Sequence, residues 1–289
     1  MYAQLLAVLA AGACAILAAP VPNPDTSILQ FALVLELLES SFYHGGLQKF
    51  DVAAFTDAGF PSWVRGRYEQ IMQHEDTHVS FLQDALGSQA PQSCVYDFPY
   101  TDVTSWIKLS MALEGVGGSA YLGALSLLQD NTTITAAASI LSIEQRHNGW
   151  ISSAVLKEQP WDGAFETPLS VPEVFSIASQ FIKSCPSSNP PAPIGPLPIL
   201  TLPASVEPGS KIQLNFTNPS PGTQLFVGWY NGLQSFFSTI DSDLSTVVPN
   251  GLNGTAYAGV VANDTLPRSN NPMVTALAVA QFPFNSMAM

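Results

Sequence analysis

Positive charge is scarce in this chain. Nine Lys and Arg stand against twenty-two Asp and Glu in 289 residues, a formal net charge of −13. That balance excludes nucleic acid and anionic membrane surfaces as partners, because both are recognised through Lys and Arg. Charge of either sign is thin, 11% against 47% hydrophobic residues. Such a composition excludes disorder outside local linkers and supplies a sizeable core, in one large or two smaller domains. Cysteine is limited to Cys14, Cys94 and Cys185, and histidine to His44, His74, His78 and His147. No histidine or cysteine occurs after Cys185, so the last third of the chain carries no catalytic constellation.

Long apolar runs are also missing, apart from the first residues. "MYAQLLAVLAAGACAILAAP" is too short for a comfortable membrane span and ends in small residues and proline, although it lacks an early Lys or Arg. It reads as a secretory signal peptide over residues 1–18. Cys14 leaves with it, and the remaining pair, Cys94 and Cys185, reads as a single disulfide in an oxidising compartment. Four N-x-T sequons, at Asn131, Asn215, Asn253 and Asn263, fit an exported glycoprotein. The expected location is extracellular or in the cell wall.

The mature chain changes regime once. Residues 19–185 carry helical patterning, and the proline-rich run 186–204 reads as an extended linker. Residues 205–289 hold short β-like runs, "QLNF", "QLFVGWY", "AYAGVV" and "VTALAVAQF", spaced like a small β-sandwich. Five helices are expected, at about 25–49, 62–86, 102–129, 133–157 and 170–183, the last opened by the capping box "SVPE". The fifteen residues between the second and third can reach ~50 Å, longer than a ~38 Å helix of 25 residues. This permits a four-helix bundle with one long crossover.

The helix seams carry the chemistry. In "IMQHEDTHVSFL", Glu75 and His78 lie three apart among the apolar members of one stripe. Glu144 and His147 repeat the arrangement on the fourth helix. Glu36 with Tyr43 on the first helix is matched by Glu114 with Tyr121 on the third, so two Glu-x6-Tyr helices face two Glu-x2-His helices. Four carboxylates and two imidazoles on facing seams would be costly without cations. Two divalent ions would balance the four negative charges, and mixed oxygen and nitrogen donors suit Fe, Mn or Zn. Glu39 is a further acid on the first seam, expected beside the site rather than as a ligand. His44, His74 and Arg146 point off the seams and read as peripheral. Gly117 and Gly118 read as permitting close helix approach.

These segments, "FALVLELLESSFY", "IMQHEDTHVSFL", "LEGVGGSAYLGAL" and "LSIEQRHNGWI", resemble the secreted fungal ferritin-like proteins of the stress-response and desiccation-related group. The resemblance covers roughly residues 25–184. It implies an all-α ferritin-like four-helix bundle, here with a fifth helix and a small all-β sandwich-like C-terminal domain. It also implies Glu36, Glu75, His78, Glu114, Glu144 and His147 as metal ligands, with Glu75 and Glu144 bridging. Tyr43 and Tyr121 would hydrogen-bond ligand carboxylates. Departures from iron-storage ferritin, namely export, the second domain and Glu39, weigh against a storage cage.

The expected activity is redox chemistry with oxygen or peroxide, of ferroxidase, oxidase or catalase type, at a di-iron or dimanganese centre. The sequence names no catalytic residue. The alternative is a non-catalytic wall or matrix protein with a structural or vestigial metal site, docked through its C-terminal domain. Because every ligand precedes residue 148, a fragment of residues 19–189 is expected to fold and keep its metals.

Overall fold

The structure, a computed structural model, describes residues 25–219 and 222–283. The expected signal peptide and Cys14 lie outside the described residues. Among those described, no helix is long and apolar enough to cross a membrane.

Helix α1 (Thr26–Lys49) packs along α3 (Ser62–Leu86), and α4 (Val103–Ala124) packs along α5 (Asn131–Trp150). These two hairpins make the bundle. The short connection after α1 holds an extra helix, α2 (Val52–Asp57), capped by Asp51, whose side chain accepts from Ala54 N. Its six residues were too few to show a helical period. Asp102 caps α4 in a capping box with Ser105. Helix α4 stops at Ala124, short of the expected 129, and tightens into a 3₁₀ turn. Helix α5 ends in a π turn over Ile151–Val155. Helix α6 (Val171–Ala178) starts at the expected capping box but ends early. The residues expected to extend it instead form strand β2 (Ile182–Ser184), paired with β1 (Val95–Tyr96) in the crossover. Tertiary pairing overrides the local helical pattern there.

Cys94 and Cys185 are bonded beside this ribbon, closing a loop of sequence separation 91. In the chain-entropy model a loop of that size contributes about 4–5 kcal/mol, as an upper guide. The crossover aromatics Phe98 and Tyr100 stand edge-on to Phe42 of α1, which stacks on Trp106 of α4 at 5.4 Å between centroids.

The C-terminal region consists of two small antiparallel sheets. One pairs β3 (Lys211–Gln213) with β6 (Ser245–Val247). The other has the order β5-β4-β7-β8, from β4 (Phe226–Asn231), β5 (Gln234–Thr239), β7 (Gly254–Val261) and β8 (Ala278–Phe282). Strand β7 is buried along its whole length. Ala256, Ala258 and Val260 enter a cluster with Ile212, Leu214 and Val248, whereas Tyr257 enters the core of the helices together with Tyr230 and Leu277. The larger sheet therefore has apolar partners on both faces.

A stripe of small residues on α4 receives this contact. Tyr257 Oη donates to Gly115 O at 3.0 Å and lies 2.9 Å from Ser119 Oγ. At Gly123 a Cβ would fall 1.8 Å from the backbone oxygen of Leu169. Further seam bonds run from Leu277 N to Ser176 Oγ and from Gly232 N to Thr167 Oγ1. Arg268 pairs with Glu173 at 2.6 Å while its guanidinium lies 3.9 Å from the centre of the Tyr230 ring.

Candidate metal centre

One turn-length geometry explains why the site forms. On α1 and α4, the seven-residue step from Glu to Tyr returns to the same face after two turns. The two tyrosines then cross between hairpins. Tyr43 on α1 donates to Glu114 Oε1 on α4, and Tyr121 on α4 donates to Glu36 Oε1 on α1 at 2.5 Å. Each tyrosine orients the other helix's carboxylate and leaves its second oxygen free to point inward. Burial, followed by the facing glutamate, pushes both phenols well above their ordinary range, so they remain donors.

The six residues singled out on the seams come together in two overlapping groups. One holds Glu36, Glu75, His78 and Glu144; the other holds Glu75, Glu114, Glu144 and His147. In each, one donor atom per residue lies within 4.8 Å of the others. Glu75 and Glu144 belong to both. His78 Nδ1 is 3.3 Å from Glu36, 3.1 Å from Glu75 and 3.6 Å from Glu144. His147 Nδ1 is 3.1 Å from Glu114 and 3.4 Å from Glu75. Glu36, Glu75 and Glu144 are fully buried, and Glu114 nearly so.

The fit to cations rests on the oxygens. Glu36 Oε2, Glu75 Oε1 and both oxygens of Glu144 are buried with no hydrogen-bond partner. Such groups are costly unless a positive charge completes them. No Lys or Arg ion pair reaches these four glutamates among the described residues. Burial first, then the neighbouring glutamates, raises Glu75 and Glu144 well above the usual carboxylate range. An all-carboxylate and imidazole donor set of this kind suits divalent Fe, Mn or Zn.

Glu39 is buried at the same level of the bundle. Burial, then the charges of Glu36 and Glu114, pushes its carboxyl well above the ordinary range. Gly117 makes room for it. A Cβ there would lie 2.6 Å from Glu144 Oε2 and 2.9 Å from Glu39 Oε1. Gly118 instead admits the amide of Gln145. The Gly117→Ala variant is expected to keep its helices, since alanine favours a helix by about 1 kcal/mol over glycine. Its metal affinity should fall roughly 10- to 100-fold as Glu144 is displaced. Elemental analysis beside a melting curve checks this: unchanged metal content would mean that Glu144 has slack.

His74 corrects the sequence reading. It is exposed, yet its Nδ1 lies 2.9 Å from His147 Nε2 and the rings stack at 5.1 Å. Burial, then His147 and His78, lowers its basicity. The i, i+4 spacing of His74 and His78 was the available signal. His44 is peripheral as expected, exposed and 3.0 Å from Asp76. Arg146 is exposed.

Residues 24–157 match the family model of the ferritin-like domain. The helical half is a ferritin-like domain. This ferritin-like domain has about six helices and is followed by the small antiparallel sheets described above. The chain is also 28% identical over 202 residues to Protein rds1 of Schizosaccharomyces pombe, covering 70% of this chain and 48% of that protein. It thus spans about half the length of the curated relative it matches. The two similarities agree with a fungal ferritin-like protein whose buried carboxylate–histidine cluster could hold a metal ion.

Proposed function

We propose that the protein is an exported dinuclear metal protein, loaded with iron or manganese, that carries out redox chemistry with oxygen or peroxide in stress protection. The observation that carries the reading is the pair of ligand groups sharing Glu75 and Glu144, with four buried carboxylate oxygens lacking partners. Glu36 and His78 would complete one position, Glu114 and His147 the other. Two neighbouring redox metals supply a place to bind and reduce oxygen or peroxide.

The chain's own groups prepare that place. Tyr43 and Tyr121 hold Glu114 and Glu36 in one orientation. His147 Nε2 lies 2.9 Å from His74 Nδ1, and the tautomer that donates from His147 to His74 would turn the His147 Nδ1 lone pair toward the centre. Glu39, whose acid form is favoured, can hold a proton beside the carboxylates. Aromatic and aliphatic packing on both hairpins excludes water from them. Export fits the paired cysteines and the sequons, of which Asn131, Asn215 and Asn253 are exposed. The C-terminal sheets are the region proposed to meet wall or matrix material.

Elemental analysis of the purified protein, with assays of Fe(II) oxidation and peroxide consumption, tests the proposal. About two redox metals per chain and turnover above the free-ion rate are expected. Metal without turnover would favour the structural role, and absence of bound metal would overturn both.

A further inference from the structure

A second polar site, lined by none of the six residues of the carboxylate–histidine centre, lies at the seam between helices and sheets. The segment after the π turn folds back along α5. There the hydroxyl of Ser152 donates to Gln159 O. Asp162 then reaches strand β7, where Thr255 N donates to its Oδ1 at 2.6 Å. The approach is close: Gly254 has φ +60°, and a Cβ on it would lie 2.4 Å from the Asp162 Cα. Glycine is required there both for space and for backbone conformation.

Between these elements is a small cavity of about 10 Å³, lined by Gln145, Asn148, Gln159, Asp162, Glu166 and Thr255 among others. That is room for one water- or ion-sized occupant. No Lys or Arg lines it. Gln159 is 7% exposed, and its Oε1 has no hydrogen-bond partner. Two carboxylate residues and a glutamine whose amide oxygen is orphaned thus line a space the size of a single ion.

We propose that this cavity, at the seam between the ferritin-like domain and the C-terminal sheets, is a calcium site. Asp162, Glu166 and the Gln159 side-chain oxygen are the ligands, and the donors are oxygen only. Oxygen-only sets select hard cations. Calcium fits better than magnesium, because Ca²⁺ accepts irregular sets of carboxylate and carbonyl oxygens and takes the rest of its six to eight oxygens from water beside the part-exposed carboxylates, whereas Mg²⁺ demands near-ideal octahedral geometry. Burial raises Asp162 to about 6, and burial with the Asp162 charge raises Glu166 to about 7. One rival occupant is a water that accepts from the unpartnered Gln145 Nε2 and donates to Gln159 Oε1. Another is a proton on Glu166.

Calorimetric titration of the full-length, metal-loaded protein with CaCl₂, alongside melting curves, decides among them. One Ca²⁺ per chain should bind, with a Tm raised by about 5 °C at saturation. Glu166→Gln keeps the Asp162–Thr255 bond and should weaken Ca²⁺ at least tenfold. Asp162→Asn with Glu166→Gln should abolish binding, with iron or manganese content unchanged. Glu75→Ala should bind Ca²⁺ normally, which separates this site from the main centre. No heat and no Tm shift in the wild type would assign the cavity to a water or a proton. Equal affinity in the double variant, or Mg²⁺ binding as tightly as Ca²⁺, would likewise overturn the proposal.

Discussion

Glu75→Ala is expected to strip the protein of metal, from about two ions per chain to fewer than one. Glu75 is shared by both ligand groups, so its loss opens both positions at once. The effect on stability should change sign with loading. In metal-loaded protein the variant should melt lower, because bound ions stabilise only the folded state. In metal-free protein it should melt higher, because it removes one buried acid from a cluster of mutually repelling ones. The same cluster sets a pH dependence for the metal-free wild type. Glu75 and Glu144 have folded values raised well above the ordinary 4.5. Folding therefore takes up protons, and the contribution is fully present below that value and is lost as pH rises through the folded values. Melting temperatures at pH 5 and pH 8, with and without metal, check both signs. A variant that retains two ions per chain would remove Glu75 from the ligand set.

Truncation at Pro190 is expected to give an insoluble or molten fragment, not the metal-replete bundle that the ligand positions alone suggest. Tyr230, Tyr257 and Leu277 belong to the core of the helices, and all three would be lost. At ~1.5–3 kcal/mol for each large side chain, the loss is roughly 5–9 kcal/mol, comparable with the whole stability of many domains. It would also bare Gly115 and Ser119 on α4, the helix that supplies Glu114. Tyr257→Phe, which removes only the bonds to Gly115 O and Ser119, should cost about 1 kcal/mol. Light scattering, helicity and metal content of residues 19–189 are the readouts. A soluble, monomeric fragment with full metal content would show the seam to be dispensable.

The contrast between these predictions reflects what a sequence displays. Ligand helices α1 and α3 have the bounds their periodicity suggests, because long amphipathic stretches repeat their signal many times. Six polar residues on apolar stripes were conspicuous for the same reason. Helix α2 and the end of α6 were illegible, being short and decided by partners distant in sequence. The seam was half-visible. "AYAGVV" lacks the alternation of a strand with one wet face, and its unbroken apolar character is what burial on both sides requires. His74 was missed because its partner, His147, lies on another helix 73 positions away.

The two hairpins repeat one ligand spacing, and Glu36, Glu39 and Tyr43 on α1 correspond in spacing to Glu114, Gly117 and Tyr121 on α4. Where one copy carries an acid, the other carries the smallest residue, and the acid's oxygen sits in the space thereby vacated. A carboxylate in both places would collide and add a charge to an already crowded core. The repeat is thus broken at one complementary pair of positions. An assembly of two identical hairpins could not make that exchange; a single fused chain can. Its frame is two-fold in its ligands but polar in its charge, so a guest with two ends would meet unlike surroundings at each.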